Sequence, residues 1–137
     1  MNKINKKAFT LIELMLVVII IGILAAMVMP RLAGRSEQAR VAAAKADINA
    51  NISLALDLFE TDIGRFPATE EGLNALRSNP GSVSSWRGPY IKKDPKDPWG
   101  KAYIYKSPGT HNSDYDLYSC GPNGVDDGGS SDDIGNW

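Results

Sequence analysis

The sequence predicts an α+β protein in which one long N-terminal helix packs on a short antiparallel sheet. Three observations support this class. Sixteen uncharged, mostly apolar residues run from Leu14 to Met29. A helical spacing of apolar residues then continues to Gly64, and short tyrosine-rich strand patterns follow it. A chain of 137 residues has room for one modest domain and an anchor.

The first element is the apolar segment 9–30. At 1.5 Å per residue a helix of this length spans roughly 30 Å, the thickness of a hydrocarbon core. Lys3, Lys6 and Lys7 precede it, as in a secretory signal peptide. A signal peptide would continue with a small-residue cleavage site, whereas Met29-Pro30-Arg31-Leu32 follows here. We therefore interpret the segment as a retained membrane anchor.

Glu13 is the one charged side chain inside this segment. A carboxylate near the membrane centre costs about 2.5–3.5 kcal/mol and usually needs a partner. At the membrane interface it would instead reach water. No basic residue follows it within the segment. If the chain is cut before Phe9, the new α-ammonium group of a neighbouring copy can pair with Glu13, which predicts self-assembly.

The run Lys6-Lys7-Ala8-Phe9-Thr10-Leu11-Ile12-Glu13-Leu14 resembles the N-terminal signal of type IV pilins and pseudopilins. The resemblance implies that residues 1–8 are a leader, which a prepilin peptidase removes before it methylates the new amine of Phe9. The family usually has Gly before the cut, where this chain has Ala8. Because Ala is nearly as small, we expect cleavage.

Gly22 and Pro30 are the weak points of the helix, since proline removes one backbone hydrogen bond and crowds the preceding turn. In the resembled family this part of the helix partly unwinds when subunits assemble. A harmless kink at the membrane edge is the alternative.

The second half of the helix is predicted from one apolar stripe, formed by Val41, Ile48, Ile52, Ala55, Leu56, Phe59 and Ile63. Alanines favour helix and leave one side thin enough for close approach; they are Ala42, Ala43, Ala44, Ala46 and Ala50. Gly64 ends the helix and Pro67 prevents its return.

Shorter elements follow. Thr69 is the expected N-cap of a short helix that ends near Ser78, and Leu73 and Leu76 form its inner face. Trp86 and Tyr90 are expected to hold the next loop against the long helix. Two or three short antiparallel strands are expected to pack on the helix stripe, and two of them are placed at residues 103–105 and 115–118.

Charge and cysteine content exclude several functions. Loss of residues 1–8 leaves 12 basic against 16 acidic side chains, and this acidic balance argues against nucleic acid as a partner. The single cysteine, Cys120, forms no intramolecular disulfide, and we expect a buried thiol. No phosphate-binding glycine motif and no nucleophile–base pair is present, and His111 is the only histidine. We therefore expect no enzyme activity.

The tail from Gly121 to Trp137 is rich in glycine and in oxygen-bearing side chains, namely Asn123, Asp126, Asp127, Ser130, Ser131, Asp132 and Asp133. Hard oxygen ligands on a flexible backbone suit calcium. The spacing is not that of an EF-hand, and a disordered acidic tail is the alternative. Ile134 and Trp137 argue against disorder.

Three segments of the second half are similar to the major pseudopilins of the type II secretion system: residues 62–76, Asp97-Pro98-Trp99-Gly100, and residues 132–137. The resemblance implies a type IV pilin-like fold, with a transmembrane helix at 9–30 and a periplasmic domain at 31–137. It implies a single-pass protein of the bacterial inner membrane that polymerises with itself into a periplasmic pseudopilus and helps to export folded proteins. Its other partners would be minor pseudopilins and the inner-membrane platform.

The resemblance also implies one calcium ion in the C-terminal loop. Carried over by position, Cys120 and Val125 give backbone oxygens, with Ser130 as a further candidate. Asp132 and Asp133 give carboxylates. Asn123 stands where the family has Asp. Because the loop is slightly longer than expected, Asp126 or Asp127 is the alternative to Asn123.

One other filament function competes with this interpretation. A type IV pilin of a surface pilus, serving adhesion, motility or DNA uptake, would share the helix. Such pilins typically close their C-terminal region with a disulfide, which a single cysteine does not allow.

Overall fold

The computed structural model describes residues 9–137, with the side chains of residues 29–33 excepted. Helix α1 spans Leu11–Ala46, a π-helical segment spans Asp47–Ile52 and helix α2 spans Ser53–Ile63. A 3₁₀ helix follows at Gly72–Leu76. Three strands complete the chain: β1 at Ile104–Lys106, β2 at Asp116–Ser119 and β3 at Ile134–Gly135.

Two compact units divide the chain after Ser36. In the first, the 18 residues Leu11–Val28 of α1 are long and apolar enough to cross a membrane, and none of them is buried. Helix α1 continues through Gly22 and Pro30. The leader 1–8, which includes Ala8, lies outside the described residues.

The second unit, Glu37–Trp137, contains the core, and the predicted stripe is confirmed. Ile48, Ile52, Ala55, Leu56 and Phe59 are buried, and Val41 and Ile63 pack at the edge. Ala44 is buried as well. Four of the buried residues recur every four positions, at Ala44, Ile48, Ile52 and Leu56. This spacing would drift around a helix of 3.6 residues per turn. The wider i→i+5 turn of the π segment keeps them better aligned.

The end of α2 is as predicted, and the predicted short helix is present as the 3₁₀ helix with Leu76 in the core and Leu73 packed against it, but its predicted N-cap is wrong. Gly64 adopts the left-handed conformation at φ +85° and donates its N–H to the Glu60 carbonyl. Thr69 is not an N-cap: its hydroxyl donates to the Ser107 carbonyl at 3.0 Å and accepts the Ser107 N–H at 2.9 Å. A contact 38 residues away along the chain thus replaces the local one that the sequence suggested.

The sheet is antiparallel in the order β1-β2-β3. Its central strand pairs Tyr105 with Leu117 on one side and Ser119 with Ile134 on the other. The predicted strands at 103–105 and 115–118 are confirmed, each beginning one residue later. The sequence left a third strand open but did not locate β3, because a two-residue strand carries no alternation.

Tyrosine hydroxyls connect the sheet region to the helices. The Tyr103 hydroxyl donates to the Asp47 carboxylate at 3.1 Å, and the Tyr115 hydroxyl donates to Ser53 Oγ at 3.2 Å. Burial raises the pKa of Tyr103, and the Asp47 charge raises it further. Tyr90, as expected, reaches the helix, where its hydroxyl bonds Asp62 at 2.8 Å. Trp86 instead donates to a carbonyl of the 3₁₀ helix.

The carboxylate of Asp116 is the most deeply buried charge in the fold, with a side chain 2 % exposed. It accepts the backbone N–H groups of Thr110, His111 and Asn112 at 2.7–3.1 Å, and also the Thr110 hydroxyl. Burial alone would raise the pKa of Asp116, but these donors lower it well below the usual range.

We expect Asp116→Asn to lower the free energy of unfolding at pH 7 by roughly 2–3 kcal/mol, because hydrogen bonds to a charged group are lost. A lowered folded-state pKa means that the contribution of Asp116 is present above the unfolded-state value of about 3.9 and is lost as pH falls below it. In urea unfolding between pH 7 and pH 2, the unfolding free energy of the variant should therefore decrease less steeply with falling pH than that of the wild type. Asp114→Asn changes an exposed neighbouring carboxylate, and this variant should show the same pH dependence of the unfolding free energy as the wild type. Equal acid sensitivity of the wild type and Asp116→Asn would contradict this role.

Candidate functional site

The N-terminal candidate site is a capping box within the chain itself. The Thr10 N–H and hydroxyl both donate to Glu13 Oε2, at 2.9 and 2.8 Å. The Glu13 N–H donates back to the Thr10 hydroxyl at 3.3 Å. Because α1 begins at Leu11, Thr10 is the N-cap and Glu13 the third helical residue, which is the T-x-x-E arrangement. The sequence contained this signal, and our prediction of Glu13 as unpartnered within its own chain missed Thr10.

The remaining residues predicted for cleavage and assembly lie along the same helix. Phe9 directly precedes the capping box and is 85 % exposed. Glu13 is exposed too. Gly22 lies in α1 with open space beside its Cα, and Pro30 lies in α1. The structure contains one chain, so the pairing of Glu13 with a neighbouring Phe9 stays a prediction.

The C-terminal candidate site is the loop between β2 and β3, and Asn123 is its centre. The Asn123 backbone N–H donates to Asp132 Oδ2 at 3.0 Å. Its side-chain amide donates to Asp132 Oδ1 and, at 3.3 Å, to Asp127 Oδ2. Asn123 therefore lies between the Asp127 and Asp132 carboxylates and donates hydrogen bonds to both. Its N–H groups partly offset the negative charge of the two side chains.

Asp133 leaves one oxygen unsatisfied. Its Oδ2 accepts the backbone N–H groups of Asp127 at 3.1 Å and Gly129 at 2.8 Å. Its Oδ1 is buried and has no hydrogen-bond partner among the residues that the structure describes. A buried carboxylate oxygen without a donor is rare and costly, so such an atom points to a ligand position.

The other predicted ligand residues lie nearby. Cys120 is buried directly after β2, as expected, and burial together with the carboxylates of Asp126 and Asp133 raises the pKa of its thiol. The Val125 N–H donates to Asn123 Oδ1 at 2.6 Å, and the Val125 side chain is exposed. The Ser130 carbonyl accepts the Asp133 N–H at 3.1 Å.

Asp126 has a different role from its acidic neighbours. Its Oδ1 accepts the Tyr118 hydroxyl at 2.8 Å and the Gly128 N–H at 3.0 Å. These two donors lower the pKa of Asp126, and burial raises that of Tyr118. Asp126 thus ties the loop to β2. Sequence reasoning missed this pair, which no local pattern signals.

The chain end also packs. The Trp137 ring stacks on the His111 ring at a centroid distance of 4.0 Å and meets Tyr118 edge-on at 5.7 Å. His111 Nδ1 lies 3.1 Å from Asp116 Oδ2. The tail is therefore folded, and the disordered alternative is wrong for residues 121–137.

The acidic side chains of this loop do not form one dense cluster. Within residues 9–137, apart from the side chains left out at 29–33, no three His, Cys, Asp or Glu side chains are close enough to hold a metal ion. A cation here would need backbone oxygens beside the Asp132 and Asp133 carboxylates. Lys101 reaches the loop, where its ammonium donates to the Gly124 carbonyl.

The fold and these sites define a class: a pilin-like α+β subunit with a methylation-type N-terminus. Two family models match the chain. The prokaryotic N-terminal methylation motif matches residues 3–29, and protein G of the type II secretion system matches residues 31–137.

Individual relatives agree with the family models. The type II secretion system core protein G of Pseudomonas aeruginosa is 46 % identical over 142 residues, covering 100 % of this chain and 99 % of the relative. That of Vibrio cholerae is 44 % identical, covering 100 % and 96 %. A crystal structure of the major pseudopilin from enterohaemorrhagic Escherichia coli superposes with a TM-score of 0.65 at 39 % identity, over 77 % of this chain and 89 % of that one.

The chain belongs to the type II secretion system protein G family, the major pseudopilins. It is therefore a structural subunit and not an enzyme. The match to protein G over residues 31–137 argues against the alternative, a type IV pilin of a surface pilus.

The loop depends on a close approach at Gly121, which is at φ +62°. A Cβ at Gly121 would collide with the Asp132 carbonyl oxygen, whereas a Cβ at Gly128, at φ +68°, would meet nothing within 4 Å. Both Gly→Ala variants carry the left-handed backbone cost of about 1–2 kcal/mol. We expect Gly121→Ala to lose clearly more unfolding free energy than Gly128→Ala in urea titrations. Equal losses would show that the contact with Asp132 is unimportant.

Proposed function

We propose that this chain is inserted in the bacterial inner membrane by Leu11–Val28, carries its C-terminal domain in the periplasm, and polymerises into a periplasmic pseudopilus that drives export of folded proteins. The observation that carries this is a whole-chain match to major pseudopilins together with an apolar α1 segment that its own chain leaves exposed. Prepilin peptidase, minor pseudopilins and the inner-membrane platform are its further partners.

Assembly would pair one charge created by cleavage with the Glu13 carboxylate of a neighbouring copy. Cleavage after Ala8 frees the amine of Phe9, and the Glu13 carboxylate of another copy accepts it. The capping box holds Glu13 at the start of α1, with Thr10 bonding one of its oxygens. In a membrane a carboxylate held in this way still gains from a full positive charge.

Two variants separate pairing from capping. Glu13→Gln keeps a capping-box side chain but removes the charge, whereas Thr10→Ala keeps the charge but removes the cap at about 1 kcal/mol. We expect Glu13→Gln to reduce sheared, pelletable filaments at least about tenfold, as loss of a desolvated charge partner does. Thr10→Ala should retain most of them. The reverse order would show that Glu13 serves only its own helix.

We propose further that the C-terminal loop binds one calcium ion. Asp132 and Asp133 would provide carboxylates, and Cys120, Val125 or Ser130 would provide backbone oxygens, with Asn123, Asp126 or Asp127 as the remaining side-chain ligand. The orphaned Oδ1 of Asp133 supports this, and so does the oxygen-only donor set, which calcium prefers. Asp126 is the weaker candidate of the three, since Tyr118 and Gly128 already bond it. When bound, the ion would supply positive charge that holds the loop between β2 and β3.

Thermal unfolding of the full chain in detergent tests the calcium proposal. Calcium at about 100 times its dissociation constant adds roughly 2.7 kcal/mol, which for a domain of this size raises Tm by about 10 °C or more over the chelator value. Asp133→Asn should remove the shift, and Asp57→Asn, an exposed change on α2, should preserve it. A shift that magnesium reproduces, or that Asp133→Asn retains, would count against this site.

A further inference from the structure

Asn123 is followed by Gly124, and this is the one Asn-Gly pair in the 137-residue sequence. Asparagine is among the chemically labile residues of proteins. The backbone nitrogen of the next residue can attack the side-chain amide carbon, and glycine shields that nitrogen least because it has no Cβ. Asn123 is exposed to water in the loop between β2 and β3. A reactive pair of residues therefore lies at an accessible position.

The Asn123 side chain folds back towards the backbone that follows it. Its Oδ1 accepts the Val125 N–H at 2.6 Å, which is the Asx turn, in which a side chain bonds its own backbone two residues on. The ring of atoms that this hydrogen bond closes contains both the side-chain carbon Cγ of Asn123 and the nitrogen of Gly124. The same N–H group would stabilise negative charge that develops on Oδ1 when Cγ is attacked.

The nitrogen of Gly124 is held by one weak hydrogen bond. Its N–H donates to the Gly121 carbonyl at 3.2 Å, which is the long end of the normal range. The Lys101 ammonium donates to the carbonyl of Gly124 itself. A positive charge beside Gly124 favours loss of the proton from its nitrogen, and this loss must precede attack.

Two carboxylates bind the amide group that would leave. The Asn123 side-chain nitrogen Nδ2 donates to Asp132 Oδ1 and to Asp127 Oδ2. Among the described residues, these two carboxylates and the Lys101 ammonium are the charged groups hydrogen-bonded to Asn123 or Gly124. The negative charges oppose deprotonation of the Gly124 nitrogen and the lysine charge favours it, so the local charges partly cancel.

We propose that Asn123 is a site of spontaneous deamidation in the folded protein. The Gly124 nitrogen gives its proton to hydroxide and forms a bond to Cγ of Asn123. The bond from Cγ to Nδ2 breaks, and Nδ2 takes a proton from water and leaves as ammonia. Water then opens the resulting cyclic imide at either of its two carbonyls, which leaves aspartate or isoaspartate at position 123. The sum is one water gained and one ammonia lost.

The aspartate product reverses the role of position 123 in the loop. The amide of Asn123 donates to Asp127 and Asp132, whereas an ionised carboxylate only accepts. Both side-chain bonds are therefore lost, and a third negative charge appears beside the other two. A further consequence rests on the proposed calcium ion: one more charged ligand raises the affinity for calcium. Deamidation would thus convert a loop that its own hydrogen bonds close into a loop that depends on a cation.

Peptide mapping by mass spectrometry tests the modification. The full chain in detergent is incubated at neutral and at mildly alkaline pH, with a second sample unfolded in urea. We expect the peptide that contains Asn123 to gain the mass difference between an amide and an acid in the folded sample. The conversion should be faster at alkaline pH, because the attacking nitrogen must lose its proton.

Asn51 is a matched control within the same sample. It is exposed as well, and its side-chain amide donates to the Asp47 carboxylate at 2.7 Å. It is followed by Ile52 in the π segment, where a β-branched side chain crowds the next nitrogen, so we expect Asn51 to convert at least about tenfold more slowly. Equal rates at Asn51 and Asn123 would overturn the proposal. So would a folded chain that stays unconverted at Asn123 while the urea-unfolded chain converts there.

Thermal unfolding separates the modification from the calcium proposal. Asn123→Asp imitates the aspartate product, and its Tm in chelator should be at least about 4 °C below that of the wild type, because hydrogen bonds to charged groups are lost. Its rise in Tm with calcium should be larger than that of the wild type. Conversion at Asn123 with no calcium response in either protein would overturn calcium binding and leave the deamidation site in place. A calcium response without conversion at Asn123 would overturn the deamidation site and leave calcium binding in place.

Discussion

The burial of one helix stripe under a very small sheet is the constraint on which the rest of this domain depends. Strands of three, four and two residues would be marginal as an isolated sheet. The sheet is stable here because Leu117 and Ile134 enter the same core as Leu56 and Phe59 of α2. The apolar stripe of the helix is therefore the organising element, and the strands form where they can cover it.

A core this small needs polar contacts to fix its loops. Asp97 is 4 % exposed and accepts the N–H groups of Trp99 and Lys101 and the hydroxyl of Ser119 on β2. The Trp99 ring N–H in turn bonds Glu37 of α1 at 2.9 Å. The Asp-Pro-Trp-Gly turn thus connects the sheet to the helix. In both this turn and the Asp116 loop, one buried carboxylate with several donors orders a segment that has no regular structure.

Features governed by local chemistry could be predicted from the sequence. Periodicity identified Ile48 to Phe59 as core, and glycine at the helix end identified the cap at Gly64. Features governed by distant contacts could not. The bond between Thr69 and Ser107 and the two-residue strand β3 exist only because the chain folds back on itself. For the candidate site, composition indicated the oxygen-rich loop but not the arrangement within it, since Asn123 and Asp132 meet across nine residues.

Asn123 changes the energetics of that loop in a way that composition alone does not reveal. An aspartate at this position would place a third negative charge beside Asp127 and Asp132. The loop would then need a cation to offset the repulsion between the three carboxylates. The Asn123 amide instead donates to both carboxylates. Its neutral side chain lowers repulsion when no cation is bound, and the same change removes one charge that would attract the ion. Because affinity for calcium depends on the number of charged ligands, a neutral Asn123 would weaken the binding of the calcium ion that we propose, while its hydrogen bonds stabilise the loop without an ion. Calcium in this subunit would therefore reinforce a loop that its own hydrogen bonds already order.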